Sequence, residues 1–411
     1  MVICSPLAGM VGNIVGLKWV LVLGTLGYVP YSAALYCNSA FGTQWFLLFG
    51  AATCGISASA LWTAESAIGV GYPEPARRGL YISIWLTLNQ LGSVIGSCIL
   101  LGMSVGKDVK GGISPNVYLV LVGLQCLGLP LSLLISPADK LIRTDGQKPV
   151  LTARKRTLKS ELKAFWKICT TKRIALLVPI FISVQWGQTY QGNYLAKYFT
   201  VEARALAGFL IAVVGMIVSL IFGWMLDLTV LRRSQRAKVS WVFLVAIFIG
   251  IWIYNLVVQV HYSKTHPTID IHSHEFSRAV GVYILFRIGY QAGSLWVYWI
   301  LGTFNVEVDN LALTTGLLRA GESLGSAFSY TVGAVKAASL LTNLIVAVVV
   351  FMASVPPTTW AAWLVTDDKT VGDLEEEVEG EEVTIEAPKS DLSEKTRDSD
   401  RGDSDRIEVG E

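Results

Sequence analysis

Apolar residues recur along this chain in runs too long for the core of a soluble domain. A helix needs about 20 consecutive, mainly apolar residues to cross a bilayer. Ten segments reach that length, at 19–38, 45–70, 80–104, 117–136, 174–198, 206–226, 239–260, 280–303, 311–335 and 340–363. An eleventh, from Met1 to Val11, has about half the required length. The segments are uniformly apolar and lack the period-two alternation of barrel strands. The pattern predicts an all-α, multi-pass membrane protein.

The polar residues between the segments orient them. Lys18, Arg77 and Arg78, the group Arg232, Arg233, Arg236 and Lys238, and the stretch 137–173 all fall on one side of the bundle. That stretch holds 11 basic residues against 3 acids. The opposite side has little beyond Lys107, Lys110, Arg204, Lys264 and Arg278. Short basic connections stay in the cytoplasm, so the basic side is expected inside, and parity puts the chain from 364 onward there too. Composition agrees. Hydrophobic residues make up 53% and charged residues 16%, where a soluble domain carries about 25% charged. The net charge of +2 conceals two opposed parts. Residues 364–411 carry 18 acids against 6 bases, and residues 1–363 carry 13 acids against 27 bases. The organisation expected is an N-terminal helical half at 1–136 with five segments, a basic cytoplasmic loop at 137–173, a six-helix half at 174–363, and an acidic, disordered cytoplasmic tail at 364–411. A soluble enzyme and a disulfide scaffold are excluded for the first 363 residues. The six cysteines stand singly with no paired spacing.

The two halves carry a hidden repeat. Gly9-x3-Asn13, followed by Gly16 and Lys18, is matched by Gly223-x3-Asp227, followed by Arg232 and Arg233. Gly9 to Gly223, Asn13 to Asp227 and Lys18 to Arg232 are each offset by 214 residues. Both copies fall at a turn on the basic side. Glycine there permits close backbone approach, and a polar side chain can bond a neighbouring helix end. Four segments follow each copy within its half. Two precede the second copy, but only the truncated one precedes the first. The symmetric count of six plus six therefore predicts that one whole helix and half of another are missing before Met1.

This arrangement resembles the major facilitator superfamily: two six-helix halves, a long basic central connection and a repeated glycine–acid–basic turn. The runs LWTAESAIGVGYPEP (61–75), RGLYISIW (78–85), LGSVIGS (91–97), WGQTYQGNY (186–194) and WVYWILG (296–302) are similar to its fungal Unc-ninety-three-like, ion-channel-regulator-like branch. Asn13 stands where the wider superfamily has Asp, and Val230 where it has glycine. The resemblance implies a two-bundle helical fold that lacks its first transmembrane helix. It also implies transport of a small solute or, as in some animal relatives, regulation or trafficking of a channel or receptor. It implies no catalytic residues.

Ionisable groups inside spans cost several kcal/mol unless paired or hydrated, which singles out Glu65, Asp227, Arg287, Arg319 and Glu322. Glu65 is either a coupling carboxylate or, more in keeping with its place near the basic side, a structural charge paired with Lys18 or Arg78. Asp227 belongs to the repeated turn as a latch. Arg319 and Glu322 share one helical face and are either a structural ion pair or cavity groups. The segment 174–198 is the most polar, and its Gln185, Gln188, Gln191 and Asn193, with Asn89 of the segment 80–104, are expected to line a substrate cavity beside Arg287, Arg319 and Glu322. The glycine pairs Gly92/Gly96 and Gly321/Gly325, and the series Gly215/Ser219/Gly223, predict close helix packing within the chain. All four histidines, His261, His266, His272 and His274, are expected in one external loop, with no metal site.

No nucleotide-binding loop, hydrolase or dinucleotide motif is present, so transport would be secondary, with no cofactor and no nucleic-acid partner. The sequence-based expectation is an integral membrane transporter of an unidentified small solute, in the plasma membrane or an endomembrane. The alternative is a regulatory subunit that holds a protein partner.

Overall fold

The computed structural model describes residues 1–74, 77–104, 115–143, 146, 148–149, 157–304, 308–335 and 339–367. The first half comprises α1 (Cys4–Val15), α2 (Leu17–Thr25), α3 (Tyr28–Phe41), α4 (Gln44–Gly71), α5 (Arg78–Ser104), α6 (Pro115–Cys126) and α7 (Gly128–Leu133). A separate helix, α8 (Leu158–Thr170), leads into the second half. That half comprises α9 (Lys172–Ala175), α10 (Val178–Val184), α11 (Trp186–Tyr198), α12 (Val201–Asp227), α13 (Arg233–Thr265), α14 (Phe276–Phe304), α15 (Val308–Ala334) and α16 (Leu340–Trp363). Among the described residues the one β feature is an isolated bridge between Phe199 and Ile269. Lys107, Lys110, Lys336 and the acidic stretch from 368 lie outside the described residues.

Three of the expected spans are broken, and the first break in each has a proline as its cause; the span 174–198 breaks again at Gln185, where no proline stands. Proline has no N–H, and its ring crowds the carbonyl four residues back. Pro30, Pro130 and Pro179 stand at the start of α3, α7 and α10, and the helices before them end at Thr25, Cys126 and Ala175. Pro356 and Pro357 are instead accommodated inside α16 without a break. Gly16, with φ +95, makes the turn between α1 and α2, a conformation open to glycine at no steric cost.

Among the described residues, six helical stretches are long and apolar enough to cross a bilayer: α2 with α3, then α4, α5, α12, α13 and α16. The helices α14 and α15 are as long, but they carry the charged and amide residues of the centre. The largest buried cluster lies in the second half around Trp296, Tyr190, Tyr194 and Tyr262, with the Trp241 and Trp296 rings 4.7 Å apart. WVYWILG, Trp296 to Gly302, is buried throughout.

The halves meet chiefly where α5 packs on α12 and where α1 and α4 pack on α15. Both repeated glycines lie at these crossings. A Cβ on Gly9 would run into the Ala312 carbonyl, and one on Gly223 into Ser83 and the Gly79 carbonyl. Gly316 faces the Ser5 carbonyl in the same way. Gly321 and Gly325 bring α15 against Phe181 and Ile182 of α10, whereas Gly92 and Gly96 meet nothing, so the packing expected of that pair is not found.

The stretch 137–173 is not simply a loop. It contains α8, and its Arg143 is buried, donating through Nε to the Tyr72 carbonyl (2.9 Å) and through Nη2 to the Gly71 carbonyl (2.9 Å) at the end of α4. The histidines are also placed differently from expectation. His261 lies within α13, which runs on to Thr265, and His266 ends that helix at φ +46.

Candidate functional site: a polar cavity between the halves

A cavity of about 610 Å³ lies where α4 and α5 of the first half face α11, α14 and α15 of the second. Its walls follow helical spacing. Arg287, Tyr290, Gln291, Ser294 and Tyr298 form one stripe of α14, and Arg319, Glu322, Ser323 and Ser326 form one stripe of α15. Leu86, Asn89, Gln90 and Ser93 do the same on α5, with Trp62 from α4 and Met1 and Val2 completing the lining. Gln185, at the break between α10 and α11, and Gln188 close the remaining side.

Arg319 is the best-connected of these groups. Its Nη1 donates to Glu322 Oε2 at 2.7 Å, and its Nε and Nη2 reach Ser66 Oγ of α4 at 3.3 and 3.1 Å. Its guanidinium also lies 4.7 Å from the Trp62 ring centre and 5.4 Å from that of Tyr298. One arginine thus joins α15 to α4 across the halves while its charge is matched by Glu322. A second inter-half link runs from Gln90 Nε2 to Gln291 Oε1 (2.9 Å) and from Gln291 Nε2 to Ser219 Oγ (2.7 Å).

Arg287 is placed otherwise. It stands beside Tyr283 and 5.4 Å from the Tyr290 ring centre, and no carboxylate lies within ion-pair distance of it among the described residues. Tyr290 is in turn fixed by Gln185 Nε2, which donates to its hydroxyl at 2.7 Å. The cavity therefore presents one neutralised pair, one uncompensated cation and a ring of amides and hydroxyls.

Of the residues singled out from the sequence, Arg287, Arg319, Glu322, Gln185, Gln188 and Asn89 line this cavity. Gln191 and Asn193 do not. Gln191 is buried inside the second half, with neither amide atom hydrogen-bonded, and Asn193 sits beside Gly333 of α15 and Asn343 of α16. The helical period turns Asn193, five residues on, away from Gln188, whereas Gln191, three residues on, stays near that side of α11 but lies about one turn further along it, past the cavity lining. The tyrosines of the same run form a buried stripe. Tyr190 donates to Gln259 Oε1 (2.9 Å), Gln259 donates to the Tyr198 hydroxyl (3.2 Å), and Tyr194 stacks on Tyr262. Glu65 faces neither Lys18 nor Arg78, its expected partners. Its Oε1 has no hydrogen-bond partner, and Arg319 is the cation it feels. Lys18 lies over Trp19, and Arg78 is buried with its guanidinium on the Gly302 carbonyl of α14.

The repeated turns close the basic end. Asp227 accepts from the backbone N–H of Gly79 (2.9 Å) and Leu80 (2.6 Å), so the last residue of α12 caps the first turn of α5 across the halves. Asn13 takes the equivalent place on α1 with opposite chemistry. Its Nδ2 donates to Glu161 Oε2 of α8 at 2.7 Å, both side chains being buried. Asparagine can donate where aspartate cannot, and a carboxylate partner is what it meets. Arg232 is exposed just before α13, and Arg233 opens that helix. Sequence reading missed Trp62, Ser66, Tyr290, Gln291, Ser294 and Glu161. For the α14 residues a signal existed, since polar positions recur at three- and four-residue steps from Arg287.

Comparison with known proteins decides the family. The Major Facilitator Superfamily model matches residues 1–290. The chain belongs to that superfamily. It is 31% identical over 366 residues to the Notoamide biosynthesis cluster protein O' of Aspergillus versicolor, covering 89% of this chain and 79% of that protein. An UNC93-like protein of Schizosaccharomyces pombe is 27% identical over 338 residues, covering 79% of this chain and 65% of its own length. UNC93-like protein 1 of Arabidopsis thaliana is 25% identical over 346 residues, covering 83% and 75%. Among solved structures, the E. coli fucose:proton symporter FucP aligns with a TM-score of 0.58 at 13% identity over 87% of each chain. The proton:xylose symporter XylE, bound to 6-bromo-6-deoxy-D-glucose, aligns at 0.58 and 11% identity over 91% of this chain and 86% of its own. At such identities these structures speak for the fold alone, which is the major facilitator fold of a multi-pass membrane protein.

Proposed function

We propose that this major facilitator chain is a secondary transporter that carries a small, polar, anionic solute by alternating access through the central cavity. The observation that carries the reading is Arg287, a cation with no carboxylate partner among the described residues, in a cavity between the two halves. A carboxylate on the solute would complete it through the planar guanidinium fork. The amides of Asn89, Gln185 and Gln188 would bond the solute's neutral groups. The volume, about 610 Å³, falls within the usual range for small-molecule sites, about 300–1,000 Å³. Glu322 and Arg319, paired to each other, would hold the ground state and exchange partners as the halves rock. The basic end, by its charge, faces the cytoplasm. A subunit that merely holds a channel needs a surface for its partner, and it has no use for an unmatched cation in an internal cavity. Purified protein in proteoliposomes, screened with labelled small carboxylates and neutral sugars, tests the reading. Saturable uptake of a carboxylate supports it; no uptake of any carboxylate, by protein that remains folded, rejects it.

A further inference from the structure

The central cavity leaves one element unexplained, the helix α8. It carries two different exposed stripes. Leu158, Leu162 and Trp166 recur at four-residue steps and are 57%, 57% and 70% exposed. Beside them run Lys159, Lys163 and Lys167, exposed at the same spacing. The helix has one acid, Glu161, which is fully buried on the far side. The exposed surface thus combines an apolar line with three uncompensated positive charges. The helix is anchored rather than dangling. It starts on a capping box between Thr157 and Ser160, packs on α1 and α15, and meets the following span at an angle of 66° across Thr171. A helix inclined that steeply to a span, at the basic end of the bundle, lies closer to the membrane plane than to its normal.

Apolar residues in the headgroup layer with flanking lysines reaching for phosphates describe a membrane-surface helix. We propose that α8 docks on the bilayer leaflet at the basic end by recognising anionic lipid headgroups, and that this seating is transmitted to the α1–α15 crossing through the Glu161–Asn13 hydrogen bond. Leu158, Leu162 and Trp166 enter the interface, and Lys159, Lys163 and Lys167 meet lipid phosphates. The buried bond, at 2.7 Å, ties the docked helix to the last turn of α1, four residues beyond the Gly9 contact with Ala312. Anionic lipid thereby holds the basic end closed. The inference is independent of what the cavity carries.

Hydrogen–deuterium exchange on the full chain in nanodiscs tests it. In discs containing about one-third phosphatidylserine, amides of 158–170 should exchange on the order of tenfold more slowly than in phosphatidylcholine alone. Changing Lys159, Lys163 and Lys167 together to Gln should abolish the difference, and salt at about 0.5 M should reduce it. Because salt leaves the sequence intact, it keeps the test valid should the triple variant misfold. Residues 4–15 should follow the same lipid dependence in the natural chain and lose it in Asn13→Ala, while α8 keeps its own. Equal exchange in the two discs overturns docking. So does protection that is present in both discs and vanishes on deletion of 368–411, which would make the chain's own acidic stretch the occupant. Lipid dependence in α8 without any in 4–15 overturns the transmission.

Discussion

Arg319 concentrates the chemistry of the residue scale. Buried inside the bundle, it depends on Glu322 for its charge and on Ser66 for its remaining donors. Removing one partner of a buried pair costs about 3 kcal/mol or more, because the other charge is left unmatched. Glu322→Gln should therefore lower the thermal stability of the detergent-purified protein by that order, and adding Arg319→Gln should recover most of it. Additive losses in the double variant would mean that the pair does not act as a unit. Arg287 has no such partner to lose. Arg287→Lys should leave stability within about 0.5 kcal/mol but weaken carboxylate uptake roughly tenfold or more, since lysine keeps the charge and loses the fork. The charged residues were legible in the sequence because ions inside apolar spans are rare. Ser66 was not, since a serine in α4 reads the same whether it packs or bonds. The partner expected for Glu65 was wrong because closeness along the chain to the basic side said nothing about which way its side chain turns.

Helix ends and crossings form the next scale. The cap that Asp227 places on α5 and the glycine contact at Gly223 act at one point, where the halves meet. Asp227→Ala should cost about 1–2 kcal/mol, and Gly223→Val about 1–3 kcal/mol by forcing α5 away from α12. Both should raise thiol-reagent labelling of a cysteine placed at Ser83; unchanged labelling would show that this crossing does not close the basic end. A similar cap joins α13 to the end of α16. Ser234 donates from its N–H (2.8 Å) and its hydroxyl (2.7 Å) to Asp367, holding that carboxyl below its ordinary range. Spans and repeated glycines were readable because each obeys a local rule; the breaks at Pro30, Pro130 and Pro179 obey one too, but the length of the apolar runs concealed them. The helix α8 was not, because its lysines placed it within a basic connection. Its apolar residues at 158, 162 and 166 were the overlooked sign. The same blindness gave Asn13 no partner, since Glu161 belonged to a stretch read as loop.

At the scale of the whole molecule, two halves meet where α5 packs on α12 and where α1 and α4 pack on α15, enclose a polar cavity and are tied together at the basic end. The two-half plan was visible in the repeat and in the apolar count. The lining was only partly visible, because which side of α11 faces the centre depends on packing against α13 and α16. Asn193 shows this, turned toward Gly333 and Asn343, while Gln191, buried a turn beyond Gln188, shows that position along the helix decides as well as side. The central claim is that the cavity's charged residues move a solute rather than merely hold the fold. Uptake of a labelled carboxylate into proteoliposomes, compared between the natural chain, Arg287→Lys and the folded Arg319→Gln/Glu322→Gln double variant, tests it most directly. Saturable uptake by the natural chain, a tenfold or greater loss in Arg287→Lys and no uptake by the folded double variant is the result expected. Equal uptake by all three would contradict the assignment of the site.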